Sequence, residues 1–99
     1  MIGYRFLPPA EEEMTEAALH YDTESRGLGQ EFLDDVQHSV DTARQQPEAS
    51  QWVGDGLRRI VFRRFPFLLI FAREFDEIVV VAVAHQRRRP GYWRERIPR

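Results

Sequence analysis

The spacing of apolar positions along the chain changes once, from a helical period to dense strand-like runs, and that change divides the sequence into two halves. Residues 2–6, IGYRF, read as a short opening strand that Pro8 and Pro9 end; the fixed φ of Pro9 suits the first helical position. Ala10, Met14, Ala17, Ala18 and Tyr21 then recur at steps of four, three, one and three, an apolar stripe of helical period. Glu11, Glu12 and Glu13 fall in the first turn, where carboxylates favour the positive end of the helix dipole, so the acidic triplet reads as a helix start rather than a metal site. Arg26-Gly27-Leu28-Gly29 supplies two glycines for a tight connection, and the first helix ends near Ser25. A second helix from about Gly29 to Gln46 presents Phe32, Leu33, Val36, Val40 and Ala43 on one face, with Pro47 just beyond its end. So short a turn makes the two helices an antiparallel hairpin.

The segment 47–56, PEASQWVGDG, reads as a loop with Trp52 as its one large anchor. The runs LRRIVFRR, FPFLLIFARE and EIVVVAVAH are β-branched and aromatic, and predict strands over 57–63, 66–74 and 77–85, with Phe75-Asp76 in the tight turn between the last two. The final strand is apolar at almost every position and is expected to be central, covered on both faces. After Pro90 the stretch GYWRERI closes the chain in a short helical turn. The expected assembly is a single α+β domain over residues 1–99: an N-terminal strand and an antiparallel helical hairpin packed on an antiparallel sheet of about four strands.

Composition narrows the chemistry. The length supports one core and not two, and a domain this small gains from a partner that covers leftover apolar surface. The chain has no cysteine, which excludes disulfides and thiolate metal sites, and no cofactor or metal site is expected. The opening MIGYRFLPPAEEE lacks a basic-then-apolar leader pattern, and no apolar run approaches the roughly 18 residues of a membrane span, so a cytoplasmic protein that does not engage the membrane is expected. The net charge of −2 hides an asymmetry: residues 1–50 hold eleven acids and three arginines, residues 51–99 five acids and eleven arginines. No lysine is present; arginine suits bidentate recognition and stacking, although a GC-rich genome produces the same bias.

The positive charge gathers at the C-terminal end. Arg87, Arg88, Arg89, Arg94 and Arg96, with Tyr92 and Trp93 among them, make a basic and aromatic stretch of the kind that meets phosphate, bases or an acidic partner, and Arg58 and Arg64 are candidates to extend it. The competing reading has these arginines solvated or paired with the acidic helices, where each surface pair contributes at most about 1 kcal/mol, and has Tyr92 and Trp93 packing the closing turn against the core.

Several stretches taken in order resemble a known superfamily: the Glu-rich first helix with its late Tyr21, LGQEFLDDV opening the second helix, the strand FPFLLIF, and AHQRRRPGYWRER at the end. They are similar to the RelE/ParE superfamily of small bacterial toxins from type II toxin-antitoxin modules, and the likeness runs over nearly the whole chain. It implies a toxin held inactive by a cognate antitoxin, as a homodimer or within a toxin-antitoxin hetero-oligomer. Two activities diverge within the superfamily. RelE-like members cut mRNA on the ribosome, and ParE-like members act on DNA gyrase without cutting RNA.

Metal-independent RNA cleavage needs activation of a 2′-hydroxyl, stabilisation of a phosphorane and protonation of the leaving oxygen. Arginine stabilises charge but is a poor proton donor or acceptor, which leaves His85 and Tyr92 as the proton-transfer candidates, with Arg87 and Arg88 on phosphate; in the other reading His85 only caps its strand. The chain resembles the RelE-like nucleases at Tyr92 and departs from them in the middle strand. They carry an arginine in a Tyr-Arg-Leu-Val-Tyr pattern, where this chain has Phe67-Leu68-Leu69-Ile70-Phe71 and places Leu68 in the phosphate-clamp position. Losing such a guanidinium removes several kcal/mol of transition-state stabilisation. Arg73 lies five positions further on, facing the other way and roughly 17 Å along the strand. The ParE-like reading needs only a contact surface, so gyrase inhibition by binding is the first expectation. A ribosome-dependent mRNA endonuclease is the second, and a degenerate member that only binds antitoxin the third. The antitoxin is expected to be acidic in its binding segment and to lay an amphipathic helix into apolar grooves, with Met14, Phe32 or Trp52 exposed at their margins.

Overall fold

The computed structural model describes residues 2–97. In chain order they form β1 (Gly3–Phe6), α1 (Pro8–Glu24), α2 (Leu28–Gln45), a 3-10 turn (Pro47–Ala49), β2 (Gln51–Gly54), β3 (Leu57–Val61), β4 (Phe67–Arg73), β5 (Glu77–His85) and a closing 3-10 turn (Tyr92–Arg96). Both helices start and end within a residue or two of the positions their apolar stripes mark, and β5 has the bounds its unbroken apolar run predicts. None of the helices is long and apolar enough to cross a membrane among the described residues.

The strands form one sheet in the order β1-β5-β4-β3-β2. The α+β class stands, with two revisions: the sheet has five strands rather than about four, and it is mixed. β2 arises inside the segment read as a loop, because Gly54, Asp55 and Gly56 all take positive φ (90°, 54° and 76°) and turn the chain into an antiparallel pairing with β3. β1 runs parallel to β5, from Gly3 opposite Glu77 to Phe6 opposite Val80, while the other three pairings are antiparallel.

The hairpin α1–α2 covers one face of the sheet. Its core centres on Phe32, which is fully buried with ring centroids at 4.9 Å from Phe67, 5.3 Å from Phe65 and 5.5 Å from Tyr21. The expectation that Phe32 is exposed at a groove margin is therefore corrected: it lies on the inward stripe of α2, where the aromatic rings of β4 and the β3–β4 turn close over it. Met14 is half-buried and Trp52 is exposed. The second face carries a smaller core of Leu57, Ile70, Val81, Ala82, Ala84 and Trp93. Strand β5 serves both cores, as its apolar run predicts. Its pairing with β4 slips by one residue between Ile70 and Phe71, so β5 holds a bulge at Val81–Ala82 and both of those side chains join the second core.

Two close approaches hold the hairpin in place. A Cβ added to Gly29 would lie 2.5 Å from the backbone oxygen of Ala18, so only glycine lets α2 pass this close to α1. Asp35, 5% exposed on the inward side of α2, accepts backbone N–H groups from Arg63 (3.3 Å), Arg64 (2.9 Å) and Phe65 (3.1 Å), and fastens the β3–β4 turn to the helix. Removing the Asp35 carboxylate leaves buried donors unpaired, and we expect Asp35→Ala to lose roughly 2–4 kcal/mol in urea unfolding. Gly29→Ala forces the helices apart and is expected to lose about 1–3 kcal/mol in the same measurement.

Candidate functional site: the basic end and its anchor

The C-terminal arm is fixed to the sheet at a place where a strand is missing. The last pair between β1 and β5 is Phe6 with Val80, after which the Leu7 N–H reaches the Val80 carbonyl at 2.9 Å and the chain leaves into α1. On this edge of β5, the Val83 N–H is taken by the Glu13 carboxylate at 3.1 Å and the Val81 carbonyl by the Arg96 guanidinium at 3.0 Å. The two side chains bond each other as well, Nη1 of Arg96 donating to Oε1 of Glu13 at 2.8 Å and Nη2 to Oε2 at 2.9 Å. Glu13 and Arg96 together supply the acceptor and donor that a continuing β1 would have offered.

Glu13 also gathers the rest of the arm. The Tyr92 hydroxyl donates to its Oε2 at 2.6 Å, and Arg88 donates there at 3.2 Å with its guanidinium 3.7 Å from the centre of the Tyr92 ring. Burial, followed by this hydrogen bond and the Glu13 charge, pushes the Tyr92 phenol well above its ordinary value, although Arg88 and Arg96 pull the other way. The hydrogen bonds that Arg96 donates to Glu13 likewise raise Arg96. With side chains 14% and 18% exposed, Glu13 and Arg96 form a mostly desolvated pair whose partners satisfy most of its bonding capacity.

The arginines of the basic end fall into two groups. In the first, each is paired with a carboxylate: Arg96 and Arg88 with Glu13, Arg94 with Asp55 at 3.1 Å, Arg64 with Glu31 at 2.8 Å and Arg58 with Glu48 at 3.3 Å. Arg58 also donates to the carbonyls of Glu48 and Ser50 and lies 5.2 Å from the Trp52 ring, so it ties down the chain entering β2 and does not extend the C-terminal patch. In the second group Arg87 and Arg89, with Arg63, have no carboxylate partner among the described residues. The Gln86 N–H donates to the Pro66 carbonyl at 2.9 Å, which sets the 86–91 segment beside the turn carrying Arg63 and Arg64. Trp93 turns inward, 6% exposed, and packs in the second core, so it is corrected from a surface anchor to a core residue in the free chain. Gly91, at φ 84°, makes the turn that sends it there, with the Arg94 guanidinium lying against it.

The proton-transfer candidates are constrained. His85 stands at the end of β5, where its Nδ1 accepts the Arg87 N–H at 3.0 Å and its ring meets Phe67 edge-on at 5.1 Å. Leu68, opposite Ala84, packs into the second core. Arg73 turns instead toward Glu48, 3.9 Å away. Among the described residues no group of three or more His, Asp or Glu could hold a metal ion.

Two concavities adjoin these elements. A hollow of about 230 Å³ on the second face is lined by Arg59, His85, Arg88 and Arg94 around Leu68 and Trp93. A shallower groove of about 430 Å³ runs along the outer side of the helical hairpin over Met14, Ala18, Leu19 and Leu33. Glu13 is the residue that the sequence reading missed as a functional anchor. The signal was its spacing, since it lies three positions after Ala10 and one before Met14, on the apolar stripe and not only in the first turn.

Glu13→Ala removes the shared acceptor, and we expect amide exchange to accelerate at Val83 and across residues 88–97 while α2 and β3 keep their protection. Tyr92 adds a pH dependence. Its raised folded value means that the folded state holds the proton which the unfolded chain releases near pH 10.0, so this contribution to stability is complete below that pH and is lost as pH rises toward the folded value. Tyr92→Phe is expected to flatten that alkaline decline in urea melts and to remove the late-titrating component of the phenolate absorbance.

Comparisons with known proteins bear on this geometry. No curated protein matches the chain. Its fold is similar to a chain in a solved structure of the "Chromosomal ParDE TA system from P. aeruginosa", with a TM-score of 0.63 at 18% identity, covering 86% of this chain and 96% of that one. The family model for the ParE toxin of the type II toxin-antitoxin system parDE matches residues 4–90, from β1 to the proline before the closing turn. The chain belongs to the ParE toxin family.

Proposed function

We propose that this protein is a cytoplasmic toxin that binds and inhibits DNA gyrase and is neutralised by a cognate antitoxin. The observation that carries the reading is the family match over residues 4–90, and the geometry of the basic end supports it. An inhibitor that acts by binding needs an exposed, rigidly presented surface, and Arg87, Arg89 and Arg63 offer one on two adjoining turns. A nuclease needs groups that exchange protons near neutrality. The Tyr92 phenol is held in the wrong direction for that work, by burial and by its bond to Glu13, and Leu68 stands where a phosphate clamp is required. One feature favours the RNA-cleaving alternative: His85 lines the same hollow as Arg59 and Arg88.

The antitoxin has a surface suited to it in the groove along α1 and α2. Leu19 is 63% exposed at its rim, and the Met14, Ala18 and Leu33 side chains give the apolar floor that an amphipathic helix would cover. An acidic stretch of the same partner would reach the unpaired arginines.

Three outcomes test these assignments. Purified protein is expected to inhibit supercoiling by gyrase, and its induction to provoke a DNA-damage response with transcripts intact; cut transcripts with undamaged chromosomes would establish the nuclease reading instead, and normal growth the degenerate one. The double variant Arg87→Glu, Arg89→Glu is expected to raise the concentration for half-inhibition by roughly tenfold or more without changing the unfolding midpoint. Adding Arg88→Glu to this pair would make a poorer probe, because Arg88 also holds Glu13 and Tyr92. Leu19→Glu is expected to weaken capture by the antitoxin and to leave gyrase inhibition unchanged.

A further inference from the structure

The connection between β4 and β5 ends in an aromatic side chain that the domain leaves uncovered. The Glu74 N–H donates to the Glu77 carbonyl at 2.8 Å, so Phe75 and Asp76 form the tip of a tight hairpin. Phe75 is 96% exposed there, more than any other large apolar side chain among the described residues. Its neighbours Glu74 and Asp76 have no ion-pair partner for their carboxylates among the described residues. Beside this tip, on the second face of the sheet, lies a hollow of about 290 Å³. Its floor is apolar: Leu57, Ala72 and Val79 form one rung across β3, β4 and β5, with Val81 next to them. Arg5 and Arg73 line its sides. Arg5 uses its Nε on Glu77 at 2.7 Å and Arg73 its Nε on the Glu74 carbonyl at 3.0 Å, which leaves the outer donors of both forks for a further carboxylate. The Asp55 carboxylate also lines the hollow, and Arg94 offsets its charge at 3.1 Å.

We infer that this hollow receives Phe75 from a second copy of the chain, and that two copies exchange their hairpin tips in a two-fold pair. The tip carries what the hollow lacks: a flat apolar ring for the floor, and unpaired acids on either side of it for Arg5 and Arg73. The chain cannot fill its own hollow this way, because the short turn holds its Phe75 out in solvent. Position decides the symmetry. Arg73 and Glu74 line the hollow and lead directly into Phe75, so ring and receptor belong to one continuous patch. A patch that is its own complement closes at two copies, whereas a ring and a receptor at opposite ends of the molecule would build an open chain. A phenylalanine ring brings about 150–250 Å² to a contact, so two rings and their rims make a small interface and a weak, reversible pair. Neither gyrase nor antitoxin takes part. The groove over Leu19 and Leu33 lies on the other side of the sheet, and Arg87 and Arg89 follow the far end of β5.

The test uses the purified full chain in sedimentation equilibrium, from roughly 10 μM to roughly 1 mM, the range of a weak pair. The average mass is expected to rise from one chain toward two and to stop there. Phe75→Ser is expected to raise the dissociation constant by roughly tenfold or more, with circular dichroism and the urea midpoint unchanged because the ring touches nothing in the free chain. Ala72→Gln puts a polar side chain on the floor and is expected to cause the same loss from the receiving side. An equimolar mixture of these two variants keeps one intact ring and one intact hollow, and is expected to pair more tightly than either variant alone. Isotope-filtered NOEs from the Phe75 ring of one copy to the Leu57 and Val79 methyls of the other are expected in the unsubstituted protein, and they stand even where Ala72→Gln disturbs β4. A single-chain mass at every concentration, a mass that climbs past two chains, NOEs from Phe75 to a second Phe75 or to Leu19, or a well-folded Ala72→Gln that pairs as the parent does would each overturn the inference.

Discussion

A single carboxylate completes the sheet where its strand runs out. β1 is only four residues long and pairs with the first part of β5, and the buried remainder of that apolar strand, second in the sheet order, is untenable without partners for the N–H and carbonyl groups on its open edge. Glu13 and Arg96 take those roles from opposite ends of the chain, 83 positions apart. Because the same carboxylate also receives Tyr92 and Arg88, the finishing of the sheet and the attachment of the arm are one event. The bulge at Val81–Ala82 lies between the two backbone groups concerned, so the irregularity in β5 and the polar network beside it belong together.

This arrangement explains how so small a domain carries dense positive charge. Burying Glu13 and Arg96 as a pair avoids the large penalty of either one alone, and fully bonded networks of this kind hold a unique geometry even where their net contribution to stability is small. The arm in turn delivers Trp93 to the second face of the sheet, which would otherwise be half a core. What is left outward, Arg87 and Arg89 next to Arg63, sits on turns whose backbones are fixed by Asp35 on one side and by the Pro66 carbonyl on the other.

Much of the fold was legible in the sequence because each helix and strand announces itself by period and by its terminators. Pro8, Pro47 and Gly27 mark the bounds of the helices, and the unbroken run in β5 states that both of its faces are covered. β2 was not legible. Its four residues show no alternation, and Gly54-Asp55-Gly56 reads equally as a loop until β3 is known to lie beside it. The site was legible by residue type and not by orientation. Clustered arginines and aromatics marked the right end of the chain, but which of them turn inward depends on acids about 80 residues earlier. Glu13 and Asp35 carried a faint mark of this, each three positions after a buried apolar residue on a helix face that should have been free of charge. Trp93 carried none, since an aromatic between arginines suits an interface and a core equally.

The bonding at Arg96 separates two kinds of arginine that composition treats alike. Its planar head spans both oxygens of one carboxylate and a backbone carbonyl at once, which the three donors of an ammonium, radiating from one nitrogen, cannot do. Lysine would therefore be a foreign body at position 96 and an ordinary neighbour at 87 or 89, where only charge is presented. Position 96 thus calls for the shape of a guanidinium, and positions 87 and 89 for a positive charge alone.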